Sequence, residues 1–201
     1  MNFELDQTEL AVIDSVEHVA REVIAPRAKH YDETETFCAE SLQALAELGC
    51  MGVNLPEHYG GLGIGSLAMS RVVEAVAGAC ASTASALTAH FLATDSILIG
   101  GTEAQKQEWL PRAATGELLV AFALTEPAAG SNPADMRCRA QREKGGWRLL
   151  GSKHYITNAR EAGFIVLYAK TDDEAGHKGI SAFVIPQGKI EERRVGKECS
   201  Q

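Results

Sequence analysis

The feature that most constrains this chain is a change of apolar period just past its midpoint. Up to about residue 115, apolar residues recur three and four positions apart, the spacing of one helix face. After Glu117 they alternate or run continuously, as strands do. Helices first and strands second predicts an α+β chain in two segregated parts. An N-terminal all-α helical domain is expected over residues 1–115, then an antiparallel β domain over 116–201, with the boundary near Thr115 and Gly116.

Within the helical part, Asp6-Gln7-Thr8-Glu9 reads as a capping box. Leu10, Ile13, Val16, Val19 or Ala20, and Val23 then form one stripe, which Pro26 is expected to end or kink. Leu42, Leu45 and Leu48 mark a second helix stopped by Gly49. Pro56-Glu57-His58-Tyr59-Gly60-Gly61-Leu62-Gly63 is a connecting loop, since it lacks the Lys-Ser/Thr ending of a phosphate loop. Ser66 is expected to cap a third helix carrying Leu67, Met69, Val72, Val73 and Val76, with a fourth ending at Gly100-Gly101. Thr102-Glu103-Ala104-Gln105 is a second capping box, opening a helix expected to stop before Pro111. Ala75 to Thr94 contains no Asp, Glu, Lys or Arg, a length that can span a bilayer. Its Ala, Ser, Thr and Gly content gains little on transfer to lipid, so a helix buried in protein is expected and no membrane span. His90 on that helix reads as a core histidine.

Candidate strands are 118–124, 137–142, 147–151, 164–169 and 180–185, with a hairpin at Glu143-Lys144-Gly145-Gly146. A net charge of −8 argues against nucleic acid as a partner. Five scattered cysteines without C-x-x-C spacing suit a reducing compartment and predict neither a disulfide framework nor a metal site. The opening residues show no secretion signal, so the expected location is the cytoplasm, or the mitochondrial matrix if a transit peptide has been removed.

The stretch Phe122-Ala123-Leu124-Thr125-Glu126-Pro127-Ala128-Ala129-Gly130-Ser131-Asn132 carries the strongest chemical hint. An apolar run ends in hydroxyls, one carboxylate and a small-residue turn, which lets a flat ligand approach the main chain. On pattern alone an ordinary β-turn after a buried strand explains it as well.

Four stretches together resemble the acyl-CoA dehydrogenase family, in that family's order and at compatible spacing. They are residues 56–63, Gly101-Thr102-Glu103-Ala104-Gln105-Lys106 running to Leu110-Pro111, residues 122–132, and Gly151-Ser152-Lys153-His154-Tyr155-Ile156-Thr157-Asn158. The resemblance implies a helical domain, a middle β domain and a C-terminal helical bundle, with FAD between the last two. It places Phe122, Leu124, Thr125 and Ser131 on a flavin-binding strand and turn, and Tyr155, Ile156 and Thr157 on a second flavin-contacting segment. Ser131 would also touch the acyl-CoA. Phe122, Leu124 and Tyr155 would then wall the isoalloxazine, while the Thr125 and Thr157 hydroxyls donate to its heteroatoms. Asn132 stands where the family usually has Asp, and Tyr155 where Trp is common.

The implied activity is α,β-dehydrogenation of an acyl-CoA thioester in fatty-acid metabolism. An electron-transfer flavoprotein or similar acceptor and a homo-oligomer go with it. The family's proton-abstracting Glu belongs to the C-terminal bundle, so no residue here is assigned that role. Glu126 reads as structural, holding N–H groups of its turn. The charged run from Lys189 to Gln201 reads as a solvated tail after a β domain missing its last strands, that is, a truncated chain with little activity of its own. An acyl-CoA oxidase, a flavin-dependent monooxygenase and a non-enzymatic interaction module remain as alternatives.

Overall fold

A computed structural model describes residues 4–188, and the charged tail from Lys189 lies outside the described residues. Contacts divide the chain into two compact units, separated after Leu118.

The first unit is helical: α1 (Gln7–Val19), α2 (Ala25–Thr34), α3 (Ala39–Glu47), α4 (Ser66–Ala79), α5 (Ala81–Gly100) and α6 (Glu103–Ala114). Both capping boxes form. Asp6 accepts from the Glu9 N–H at 2.8 Å while the Glu9 carboxylate accepts from the Asp6 N–H at 3.0 Å, and Thr102 and Gln105 repeat the exchange. The other oxygen of Glu9 accepts from the Gly65 N–H at 3.0 Å, so one carboxylate serves the starts of two helices. The N-cap of α4 is accordingly Gly65, with Ser66 as the first helical residue.

Neither proline ends its helix. A π-helical turn, Ala20–Ile24, joins α1 to α2, and the Ala25 N–H reaches back five residues to the Ala20 carbonyl. That wider turn removes the demand for a Pro26 N–H and the clash of its ring with the carbonyl four residues earlier. The inserted residue also rotates the buried stripe, which runs through Ile13, Val16, Ala20 and Ile24 while Leu10 stays exposed. Pro111 sits inside the last turn of α6, where burial of Leu110, Ala113 and Ala114 outweighs one missing hydrogen bond.

The uncharged stretch is broken at Cys80, whose extended backbone separates α4 from α5. The core of α5 includes Thr83, Leu87, His90, Phe91 and Thr94, and no helix among the described residues is long and apolar enough to cross a membrane. Burial lowers the His90 pKa to about 4 against its backbone hydrogen bonds with Met51 and Ala113, so the imidazole is neutral.

Two of the glycine-bearing sequence motifs meet here, where the buried Tyr59 hydroxyl donates to both oxygens of Glu103 at 2.9 and 3.0 Å. The loop that delivers Tyr59 turns back on itself, the Gly61 N–H donating to the Pro56 carbonyl and the Gly63 N–H to that of Leu55. A Cβ on Gly61 would lie 2.0 Å from the Leu55 carbonyl oxygen, so only glycine fits.

The second unit is a five-stranded sheet of β1 (Val120–Ala123), β2 (Arg139–Glu143), β3 (Gly146–Leu150), β4 (Phe164–Lys170) and β5 (Ile180–Pro186). The order is β1-β4-β2-β3, and β5 also pairs with β4. The α-then-β order stands, but the sheet is mixed where an antiparallel one was expected. β1 runs parallel to β4, with Phe122 opposite Val166, and β2 meets β4 in parallel at Arg139 and Lys170, while β2–β3 and β4–β5 are antiparallel. The physical reason is the long connection from β1 to β4, which carries a whole hairpin and so permits a parallel crossover. On one face Ala121, Ala123, Ala162 and Ile165 form a core with Ile156 and Leu167 packed on it. Alternation puts Phe122 on the opposite face, against the ring of Tyr168 at 5.3 Å between centroids.

Two glycines separate space from shape. Gly61→Ala should lower stability by more than about 2 kcal/mol through the carbonyl clash. Gly78→Ala, whose Cβ meets nothing within 4 Å, should raise it by about 0.4–1 kcal/mol. Urea unfolding followed by far-UV circular dichroism checks both.

Candidate functional site

β1 stops at Ala123, and Leu124 and Thr125 lead into a tight turn closed by paired hydrogen bonds between Glu126 and Ala129, at 2.8 and 3.2 Å. Pro127 and Ala128 sit at its tip. Beyond it Ser131 is exposed, and the Asn132 side chain caps the short 3₁₀ turn Pro133–Asp135, so the amide standing where the family has a carboxylate still serves as an acceptor.

The segment 151–158 returns to the same place. Gly151 passes so close to β2 that a Cβ there would lie 2.7 Å from the Cys138 Cα, and its φ of 148° also favours glycine. The His154 N–H then donates to the Thr125 carbonyl at 2.9 Å, and the buried Asn158 amide donates to the Val120 carbonyl at 3.2 Å. With these two anchors the segment runs back along β1, and Ile156 between them packs against the cluster that contains Ala121 and Ala123.

Leu124 and Thr125 are thus tied directly to Lys153 and His154, and Tyr155, Ile156 and Thr157 follow along β1 before the Asn158 anchor. Phe122 stands on the opposite sheet face from Ile156, and Ser131 lies beyond the turn, exposed. The Thr125 and Thr157 hydroxyls make no hydrogen bond to a described residue. Tyr155 is 83% exposed and holds a φ of +57°, and Asn158 holds +67°. Left-handed backbone is unusual for a bulky residue and gathers at functional sites.

Beneath this surface lies an ion pair that sequence reading missed. Lys153 Nζ donates to Glu126 Oε1 at 2.8 Å and to the Leu124 carbonyl at 2.8 Å, with the two side chains only 7% and 4% exposed. Glu126 also accepts from the backbone N–H groups of Arg137 at 2.6 Å and Cys138 at 3.0 Å. It was expected to hold N–H groups of its own turn; instead it reaches across to the residues that enter β2. Burial pushes its pKa up, but the Arg137 N–H, the Lys153 ammonium and the Cys138 N–H outweigh burial and hold it below the ordinary carboxylate value. The Cys138 thiol is raised by burial, so it stays protonated. The only signal in the sequence was a lysine followed by the ring residues His154 and Tyr155, and it pointed to no partner.

A helical unit leading into a mixed sheet is an architecture this chain shares with proteins of known structure. Residues 6–117 match the acyl-CoA dehydrogenase N-terminal domain and residues 121–197 its middle domain. The chain belongs to the acyl-CoA dehydrogenase family. It is similar to the mitochondrial isovaleryl-CoA dehydrogenase of Arabidopsis thaliana, at 39% identity over 186 residues covering 91% of this chain and 46% of the relative. Butyryl-CoA dehydrogenase from Megasphaera elsdenii shares the fold at a TM-score of 0.87 and 32% identity, over 94% of this chain and 50% of that one. PigA in complex with FAD and proline does so at a TM-score of 0.85 and 30% identity, again over 94% and 50%. The chain thus spans about half the length of the relatives it matches.

Because the folded pKa of Glu126 is depressed below 4.5, its stabilising contribution is full above that value and is lost as pH falls through the folded pKa. Glu126→Gln should cost on the order of 3 kcal/mol near neutral pH. Denaturant midpoints measured from pH 7 downward should show the gap to wild type narrowing once pH drops below 4.5.

Proposed function

We propose that this chain forms the N-terminal and middle portions of an FAD-dependent acyl-CoA dehydrogenase and that its β unit supplies one side of the flavin site. The observation that carries the reading is the His154–Thr125 hydrogen bond, which brings the two predicted flavin-contacting segments side by side with both threonine hydroxyls uncommitted.

The residues fit such a group. An exposed tyrosine ring on a strained backbone is a poor solution for a surface facing only water, and a good one for stacking against a flat heterocycle. The hydroxyls of Thr125 and Thr157 donate to no other described residue, so they can serve a flavin's carbonyls and ring nitrogens. Ser131, exposed beyond the turn, is positioned by this reading to touch both the cofactor and the acyl-CoA. Phe122 contributes from the other face by supporting β1 through Tyr168, not as a wall in contact with the Ile156 side. Bound FAD would supply the hydride acceptor for α,β-dehydrogenation of an acyl-CoA thioester.

The chain's own groups bind and orient in this scheme and none removes the α-proton. Glu126, the carboxylate nearest the turn, already takes three donors and is held at low pKa, which suits a structural anion and not a base. We assign the base to no residue among the 201. The electron acceptor proposed is an electron-transfer flavoprotein or a similar redox protein, the substrate class an acyl-CoA, and the assembly a homo-oligomer.

The purified 201-residue chain should take up FAD, read as a yellow protein with a flavin absorption band. It should reduce an electron-accepting dye only feebly when supplied with an acyl-CoA. A colourless protein after reconstitution would remove the flavin reading, and vigorous dye reduction would show that a base is present after all.

A further inference from the structure

We propose that Lys153 is a positioning residue: its ammonium, seated on the Glu126 carboxylate and the Leu124 carbonyl, locks the end of β1 and the 153–157 segment into a single surface. What that surface meets rests on the flavin reading above; the clip itself does not.

Burying a lysine and a glutamate together costs desolvation that their attraction only roughly recovers, so an apolar pair of similar volume would serve stability as well. What an apolar pair lacks is direction. Lys153 Nζ donates to the Leu124 carbonyl at 2.8 Å, which fixes the plane of the Leu124–Thr125 peptide. In a trans peptide the N–H points opposite to the carbonyl, so the Thr125 N–H is turned away from Lys153. The next residue in each segment repeats the tie, the His154 N–H meeting the Thr125 carbonyl at 2.9 Å. Two consecutive carbonyls at the strand end are thereby held by two consecutive residues of the returning segment.

The Glu126 end is equally constrained. Its oxygens accept from the Arg137 and Cys138 N–H groups, which anchors the carboxylate to the entry of β2. Gly151 passes against Cys138 at the same point, so the chain delivering Lys153 has one route. Three segments distant in sequence converge on one charge pair. The left-handed backbone of Tyr155 comes two residues after Lys153, and its ring direction depends on where that lysine is tethered.

The test uses the full chain as wild type, Lys153→Met, and the double variant Glu126→Gln/Lys153→Met, with Trp147→Ala at the turn end of the β2–β3 hairpin as a control for lost stability. Three quantities are read: the melting midpoint, amide hydrogen exchange over residues 122–126 and 153–158, and FAD affinity by flavin fluorescence. Lys153→Met should raise exchange in both segments at least tenfold and weaken FAD at least tenfold, while Trp147→Ala leaves both unchanged at an equal loss of melting temperature. The double variant, with no unpaired buried charge, should regain much of the midpoint without regaining protection or FAD affinity. Where the single variant does not fold, the double variant carries the same two readouts. Unchanged exchange in the two segments, or a double variant that recovers FAD affinity along with its midpoint, overturns the proposal by reducing the pair to simple structural support. If wild type takes up no FAD, the functional reading fails, and the exchange measurement alone decides the clip: protection lost in both segments upholds it, protection kept in either overturns it.

Discussion

The Glu126–Lys153 pair is the constraint on which the β unit's candidate site depends. The sheet brings β1 and β4 together through backbone pairing, but nothing in that pairing determines what happens past Ala123, where β1 ends. Beyond that point the chain has a proline turn on one side and a strained return segment on the other. Neither is a regular element with its own hydrogen-bond ladder. The carboxylate accepts from two backbone N–H groups and an ammonium, and the ammonium in turn donates to a carbonyl, so five polar groups of three segments are satisfied at once. Charge-assisted bonds of this kind are stronger and more directional than neutral ones. Low exposure strengthens them further and makes the loss of any one partner costly.

The helical unit applies the same economy of polar ties to different ends. Glu9 closes the capping box of α1 with one oxygen and receives the Gly65 N–H with the other. Asn54 donates to Thr94 and Asp95, joining a loop to the middle of α5. Tyr59 spans from the glycine loop to the first turn of α6 through Glu103, whose carboxylate is held below its ordinary pKa by Gln107 and by that hydroxyl. In each case a polar side chain ties a loop to a helix end or face, and apolar burial of residues such as Leu45, Leu55 and Leu110 supplies the bulk of the driving force. The glycines at 60 and 61 matter because they let the loop fold flat enough for Tyr59 to arrive.

Much of this was legible because it is local. Capping boxes are read from four adjacent residues, and both formed. A hairpin is read from its turn, and the Glu143–Gly146 turn joins β2 and β3 as its glycines required. What failed is what depends on a partner elsewhere. Pro26 was expected to end or kink its helix, and a π-helical turn just before it let the chain continue helical; Pro111 was expected to lie past a helix end, but a buried last turn carried α6 through it. A third and a fourth helix were expected, but the place of the break between them, at Cys80, leaves no mark of its own in an uncharged stretch of small residues. Parallel pairing of β1 with β4 cannot be seen in either strand's own alternation, since it is the intervening connection that permits it. The site divided in the same way. Thr125, Tyr155 and Thr157 were visible through the stretches that carry them, whereas Lys153, lying inside one of those stretches, had no readable role until its carboxylate was found 27 positions away.

The backbone at Tyr155 and Asn158 shows why such a pair is worth keeping. Each residue sits in the left-handed region, at +57° and +67°, where a side chain meets the following carbonyl. Asparagine tolerates that conformation, and here its amide is also spent on the Val120 carbonyl. Tyrosine gains nothing comparable from its own backbone, since its ring stands in the open. Strain of this sort persists only where both flanks are held, and the two flanks are the His154–Thr125 and Asn158–Val120 bonds along β1. Lys153 stands just outside the first of them and sets the direction from which the chain enters. A buried charge pair, a strained tyrosine and two threonine hydroxyls are then parts of one arrangement, in which the polar groups beneath the surface are spent on holding its shape.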